Sequence, residues 1–180
     1  KVVIHQPEYL PWINLFIKMS LCEKFVFLDN VQYARRSFQN RNIINSNNQL
    51  SYITVPIEYS DRDTLINEIK IDLNKKWKED HLNKFRNSYK ETKHYKKVIN
   101  LVEEIFSNNY SYLSELNQDL TKLIAKRLDI NCNFYLSSKI NAEGKKSAII
   151  LDICKKFNTS NYITGVGSKS YLEENDFKKN

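Results

Sequence analysis

Five short polar groups in this chain carry reactive residue types, four of them at positions where a strand is expected to end. His5 and Gln6 follow the apolar run 1–4, Asp29 follows the run 25–28, Ser137 and Ser138 follow 132–136, and Gly165-Val166-Gly167-Ser168 follows 162–164. The fifth group, Asn40-Arg41-Asn42, lies between runs. A histidine titrates near neutrality, so His5 suits a general base or a donor to phosphate; an ordinary hydrogen-bonded turn histidine is the alternative. Asp29 suits a hydroxyl, a ribose or an amine, or caps the turn that follows it. An arginine between two amides suits a planar anion, carboxylate or phosphate, with a surface ion pair as the plain alternative. The serine pair can bind phosphate or simply build a turn. The two glycines let backbone approach a phosphate or a sugar, although a single Gly-X-Gly lacks the rest of a dinucleotide fingerprint.

These groups need elements to hold them. Residues 1–5 read as a strand, 12–22 as a helix with Trp12, Leu15, Phe16, Met19 and Cys22 inward, and 25–28 as a buried strand. That succession is a βαβ unit, right-handed by default. Residues 33–72 form a β-rich excursion, with a turn at 45–49 and strands at 50–57 and 69–71. Residues 75–128 form a helical insertion. Its inward residues are Leu82, Phe85 and Tyr89, then Val98, Val102, Ile105 and Phe106, then Leu113, Leu116, Leu120, Leu123 and Leu128, and Ser111 is placed to cap the last helix. A strand over 132–136, a helix over 144–157 and a strand over 162–164 follow. The expected class is therefore α/β, a mainly parallel Rossmann-like sheet with the excursion and the insertion, in a single domain over 1–180. If the strands are parallel, four of the polar groups share one sheet edge, where open α/β sheets bind ligands.

Composition narrows the partners. A net charge of +7 favours an anionic ligand. The lysines are interleaved with acidic residues and no nucleic-acid motif occurs, so DNA is not an expected partner. His81 and His94 lie among lysines and read as surface residues, no histidine pair has ligand spacing, and no metal site is expected. Cys22, Cys132 and Cys154 are odd in number and far apart, which suits a reducing compartment without structural zinc. No apolar run has transmembrane length, and a cytoplasmic location is expected.

The stretches HQPEYLPWINLFIK, FVFLDNVQYARRSFQNRNII, LSYITVPI, YLSSKI and YITGVGSKSYL, in this order over nearly the whole chain, resemble the WbqC-like protein family. Asn14 departs from the small residue, often glycine, usual there, and family members continue past the point where this sequence stops, so a C-terminal segment is expected to be missing. The resemblance implies a cytoplasmic step in sugar-nucleotide tailoring for O-antigen, lipopolysaccharide or other surface polysaccharides, with transfer of glycine to an amino sugar as the suggested reaction. It carries site residues over to His5, Gln6, Tyr9, Asp29, Gln32, Asn40, Arg41, Ser138, Gly165, Gly167 and Tyr171, without individual roles. A second, architectural analogy is to the adenylate-forming fold of pantothenate synthetases, whose paired-histidine phosphate motif is absent here.

The reading that follows is an acyl or aminoacyl transferase acting on an amino-sugar nucleotide. His5 or Asp29 takes the proton of the attacking amine, Arg41 and Lys146 hold phosphate or carboxylate, and Tyr9, Trp12 and Tyr33 stack on base or sugar. Gln6, Gln32, Asn40, Ser138, Gly165, Gly167, Ser168 and Tyr171 complete the binding set. Partners are a sugar nucleotide and an amino-acid donor, with tRNA relevant only as an acyl carrier and ATP with Mg²⁺ the only cofactor considered. The alternatives are an ATP-dependent adenylate-forming or nucleotidylyltransferase-like enzyme and a non-catalytic sugar-nucleotide-binding partner protein.

Overall fold

The computed structural model describes residues 1–46, 49–165 and 177. Among them the elements run β1 (Val2–His5), α1 (Ile13–Met19), β2 (Lys24–Phe27), β3 (Arg41–Ser46), β4 (Gln49–Thr54), a 3-10 turn (Ile66–Glu68), α2 (Trp77–Tyr89), α3 (Tyr95–Ser107), α4 (Leu113–Arg127), β5 (Asn133–Leu136), α5 (Ser147–Lys156) and β6 (Tyr162–Ile163). The chain divides into two compact units, one of residues 1–6, 12–31 and 129–180, the other of 7–11 and 32–128.

The first unit is an α/β sheet in the order β5-β2-β1-β6, with every neighbouring pair parallel. Short continuous apolar strands of this kind are covered on both faces. Val2, Ile4, Val26 and Leu28 point to one face and pack with Ala142 and with Ile149, Ile150, Ile153 and Cys154 of α5. The period of two turns Phe25 and Phe27 to the other face, where Phe27 stacks on Phe134 at 5.8 Å between ring centroids. The crossovers β1→β2 and β5→β6 run in opposite directions along the sheet, so right-handedness puts α1 on the face away from α5. Gly144 precedes α5 at φ +106°, and a Cβ there would come within 3.0 Å of the Ile149 nitrogen, so this turn needs glycine.

Trp12 departs from its expected inward place: it is 63% exposed, while α1 buries Leu15, Phe16 and Met19. It sits at the N-cap with extended backbone (ψ 163°), so the helical projection does not apply to it.

The second unit joins the antiparallel hairpin β3–β4, in register from Arg41↔Thr54 to Ser46↔Gln49, to helices α2, α3 and α4. The hairpin strands extend further into the expected 45–49 turn than its composition indicates. The expected strand at 69–71 is reduced to isolated bridges, Ile57↔Ile71 and Lys70↔Tyr112. Ile53, Ile66, Ile69, Ile71, Leu113, Leu116 and Leu120 are fully buried. In α3 the inward set is Ile99, Val102, Ile105 and Phe106; Val98 faces out because the buried stripe is rotated by one residue. Leu128, beyond the end of α4, is likewise exposed. Ser111 does not cap α4, whose N-cap is Tyr112 without a side-chain bond; instead the Ser111 carbonyl accepts the Ile71 N–H at 3.0 Å.

No helix among the described residues is long and apolar enough to cross a membrane.

Candidate functional site

Because the four strands are parallel, the residues that follow them lie along one edge: His5 and Gln6 after β1, Asp29 and Asn30 after β2, Ser137 and Ser138 after β5, Gly165 after β6. Hydrogen bonding makes the middle of this edge rigid. The Asp29 carboxylate is buried. Its Oδ1 accepts the Ser138 N–H at 2.9 Å and its Oδ2 accepts the Ser138 hydroxyl at 2.7 Å. The Ser137 hydroxyl lies 2.9 Å from Asp29 Oδ1 and accepts the Asp29 N–H at 3.0 Å. Asn30 extends the clamp by donating to the Ala142 carbonyl at 2.8 Å. A carboxylate so engaged holds β2 and β5 together and presents the Ser138 oxygen, rather than standing open as a base.

His5 is different. Its Nδ1 lies 2.9 Å from the Gln6 carbonyl oxygen. A carbonyl only accepts, so Nδ1 carries the proton and Nε2 keeps its lone pair. Burial, with the Lys18 charge adding to it, lowers the His5 pKa from 6.5 to about 4. The ring is therefore neutral at pH 7, and its Nε2 is an acceptor. Lys18, which the sequence pattern did not single out, belongs to this corner: a Cβ on Gly165 would lie 3.9 Å from its Nζ. Nothing in the helical pattern of α1 distinguishes Lys18 from a solvated lysine. Lys146 is exposed and takes φ +52° just before α5.

The other expected residues lie in the second unit. Tyr9 is fully buried, and its hydroxyl is 2.7 Å from His81 Nδ1, so no ring face is left for a base or sugar. His81 is itself buried, contrary to its expected surface position, because Trp77, His81 and Phe85 form the inward stripe of α2. Its other nitrogen bonds the Thr54 backbone, and burial, with Lys84 adding to it, lowers its pKa to about 4. Tyr33 is also buried, which raises its pKa and removes it as a stacking platform. Asn40 is buried; its Nδ2 donates to the Val55 carbonyl at 3.1 Å while Oδ1 has no partner among the described residues. Gln32 donates to the Arg62 carbonyl at 2.7 Å at the surface.

Arg41 opens β3. Its guanidinium carbon stands 4.3 Å from the Tyr52 ring centroid, and it donates to the Arg36 carbonyl. Neither Arg41 nor the neighbouring Arg35 and Arg36 pairs with a carboxylate among the described residues. Gly167, Ser168 and Tyr171 lie outside the described residues. Among the described residues no group of three or more His, Cys, Asp and Glu is assembled that could hold a metal ion.

The model of the WbqC-like protein family matches residues 6–180. An uncharacterized protein of Mycobacterium tuberculosis is 27% identical over 179 residues, 98% of this chain and 77% of that protein. No solved structure matches.

Proposed function

The chain belongs to the WbqC-like protein family, and we propose, from that membership and from the polar edge of its parallel sheet, that it is a transferase. It joins an acyl or aminoacyl group, such as glycyl, to the amine of a nucleotide-linked amino sugar during O-antigen or other surface-polysaccharide synthesis. The observation that carries the reading is the neutral His5, whose Nε2 has no partner among the described residues, beside the Asp29–Ser138 clamp.

In this reaction the amine nitrogen attacks the acyl carbonyl carbon, and the leaving group departs with the electron pair of the broken bond. The nitrogen then sheds a proton. His5 Nε2 accepts the amine N–H and orients it; with a pKa near 4 the ring does not store the proton but passes it to water. The Ser138 oxygen, fixed by Asp29, accepts a sugar hydroxyl. Arg41 holds a phosphate or carboxylate.

The test is turnover with an amino-sugar nucleotide and labelled glycine, supplied as glycyl-tRNA or as glycine with ATP and Mg²⁺, alongside thermal shift with each component. The expected result is an amide-linked product, and a stabilisation by the sugar nucleotide that Arg41→Ala removes and Lys126→Ala leaves intact. Pyrophosphate release from ATP without a sugar acceptor would replace this reading by adenylate formation. Stabilisation with no product from either donor would replace it by a binding partner.

A further inference from the structure

Two of the three cysteines, far apart in sequence, meet in the first unit. Cys22 follows α1 and is buried, and Cys132 directly precedes β5 and is half-buried. The register of the sheet brings them near one another: Lys24 stands across from Asn133, and the Asn133 N–H donates to the Glu23 carbonyl at 2.9 Å, so Cys132 falls beside Glu23, one residue from Cys22. Neighbouring strands lie about 4.8 Å apart, and an offset of one residue keeps two Cα atoms at about 6 Å, a separation that a disulfide bridges. The Cys22 thiol donates to the Met19 carbonyl at 3.3 Å, and the Cys132 thiol stands close enough to shift its ionisation.

We propose that Cys22 and Cys132 form an oxidisable dithiol, a modification site at the amino end of the strands that peroxides convert to an intramolecular disulfide. It stands independently of the transferase reading.

The chemistry has a defined order. The Cys132 thiol, followed by the Val3 amide, stabilises the Cys22 thiolate and holds its pKa below the ordinary value, against the opposing effect of burial. The same interaction raises Cys132, which therefore keeps its proton. Cys22 is thus the nucleophile. Its sulfur attacks one peroxide oxygen, the O–O bond breaks, and hydroxide leaves, giving a sulfenic acid once a proton is taken up. Cys132 then loses its proton and attacks the Cys22 sulfur, and the sulfenic oxygen departs as water. Two thiols are oxidised by two electrons, one peroxide is reduced, and two waters form. Cys154 serves as an internal reference. It is buried against the other sheet face in the α5 cluster, and burial raises its pKa to about 11.

The experiment treats the full chain with hydrogen peroxide, alkylates it under denaturing conditions and maps it by mass spectrometry. Two of the three cysteines should become inaccessible to alkylation and return with dithiothreitol. They should be recovered as one linked pair of peptides containing Cys22 and Cys132, with Cys154 consumed about 10-fold more slowly. In Cys132→Ser the same treatment should leave Cys22 as a sulfenic acid that dimedone traps, with no linked peptides. Three alkylated cysteines after oxidation, a linkage between two chains, or loss of Cys154 as fast as Cys22 would each overturn the proposal.

Discussion

His5 in the first unit and His81 in the second make a natural pair. Both rings are neutral at pH 7, both have pKa values lowered to about 4 mainly by burial, and each stands near one lysine, Lys18 or Lys84. Their hydrogen bonds separate them. His81 is occupied on both nitrogens, by the Tyr9 hydroxyl and by the Thr54 backbone. Among the described residues His5 uses only Nδ1. A lowered pKa therefore marks burial in both units, whereas among the described residues only His5 of the two keeps a ring nitrogen without a partner. The clamps differ in the same sense. In the second unit Tyr9 and His81 close on one another, while at the sheet edge Asp29 closes on Ser138 and leaves the Ser138 oxygen as an acceptor.

This contrast can be broken by substitution. His81→Ala should cost the most, about 4 kcal/mol, since it opens a cavity beside Trp77 and leaves the Tyr9 hydroxyl without its partner. Asp29→Ala should follow at about 3 kcal/mol, because the donors that converge on the carboxylate from Ser137 and Ser138 lose their acceptor. Tyr9→Phe removes one buried hydrogen bond and should cost about 1.5 kcal/mol. His5→Ala should cost least, below about 1 kcal/mol, yet lower sugar-nucleotide affinity by about 10-fold or more. Urea denaturation ranks the four; a His5→Ala cost equal to that of His81→Ala would erase the distinction.

A pH titration sharpens it. Both histidines have folded pKa values near 4 against 6.5 in the unfolded chain, so the unfolded chain binds more protons between these values. Stability should be fully present above about pH 6.5 and decline as the pH falls toward 4. His81→Phe should flatten part of that decline. An unchanged acid branch would mean that His81 is not held neutral by burial.

Much of the sheet was legible in the sequence because parallel strands covered on both faces leave unbroken apolar runs. The runs before His5, Asp29 and Ser137 each end at the carboxyl edge. The second unit was harder to read. The family resemblance carries Tyr9 into the site, but residues 7–11 belong to the second unit, where the Tyr9 N–H donates to the Phe38 carbonyl at 2.9 Å. His81 was assigned to the surface from its lysine neighbours, although Trp77, His81 and Phe85 recur every four residues and give the inward stripe of α2. The Cys22–Cys132 contact left no local trace, since it depends on the pairing of β2 with β5.

The sheet order also orders the events of folding. β1 and β2 are joined by a short crossover, whereas the pairing of Val2 with Tyr162 closes a loop nearly the length of the described chain. Closing so long a loop demands chain entropy that local contacts repay only late. During synthesis the parts needed for the helical unit, from Tyr9 to α4, emerge before β5 and β6. The polar edge thus acquires Ser138 and Gly165 last, and a chain arrested before them would have every strand and helix of the second unit but only half of the sheet.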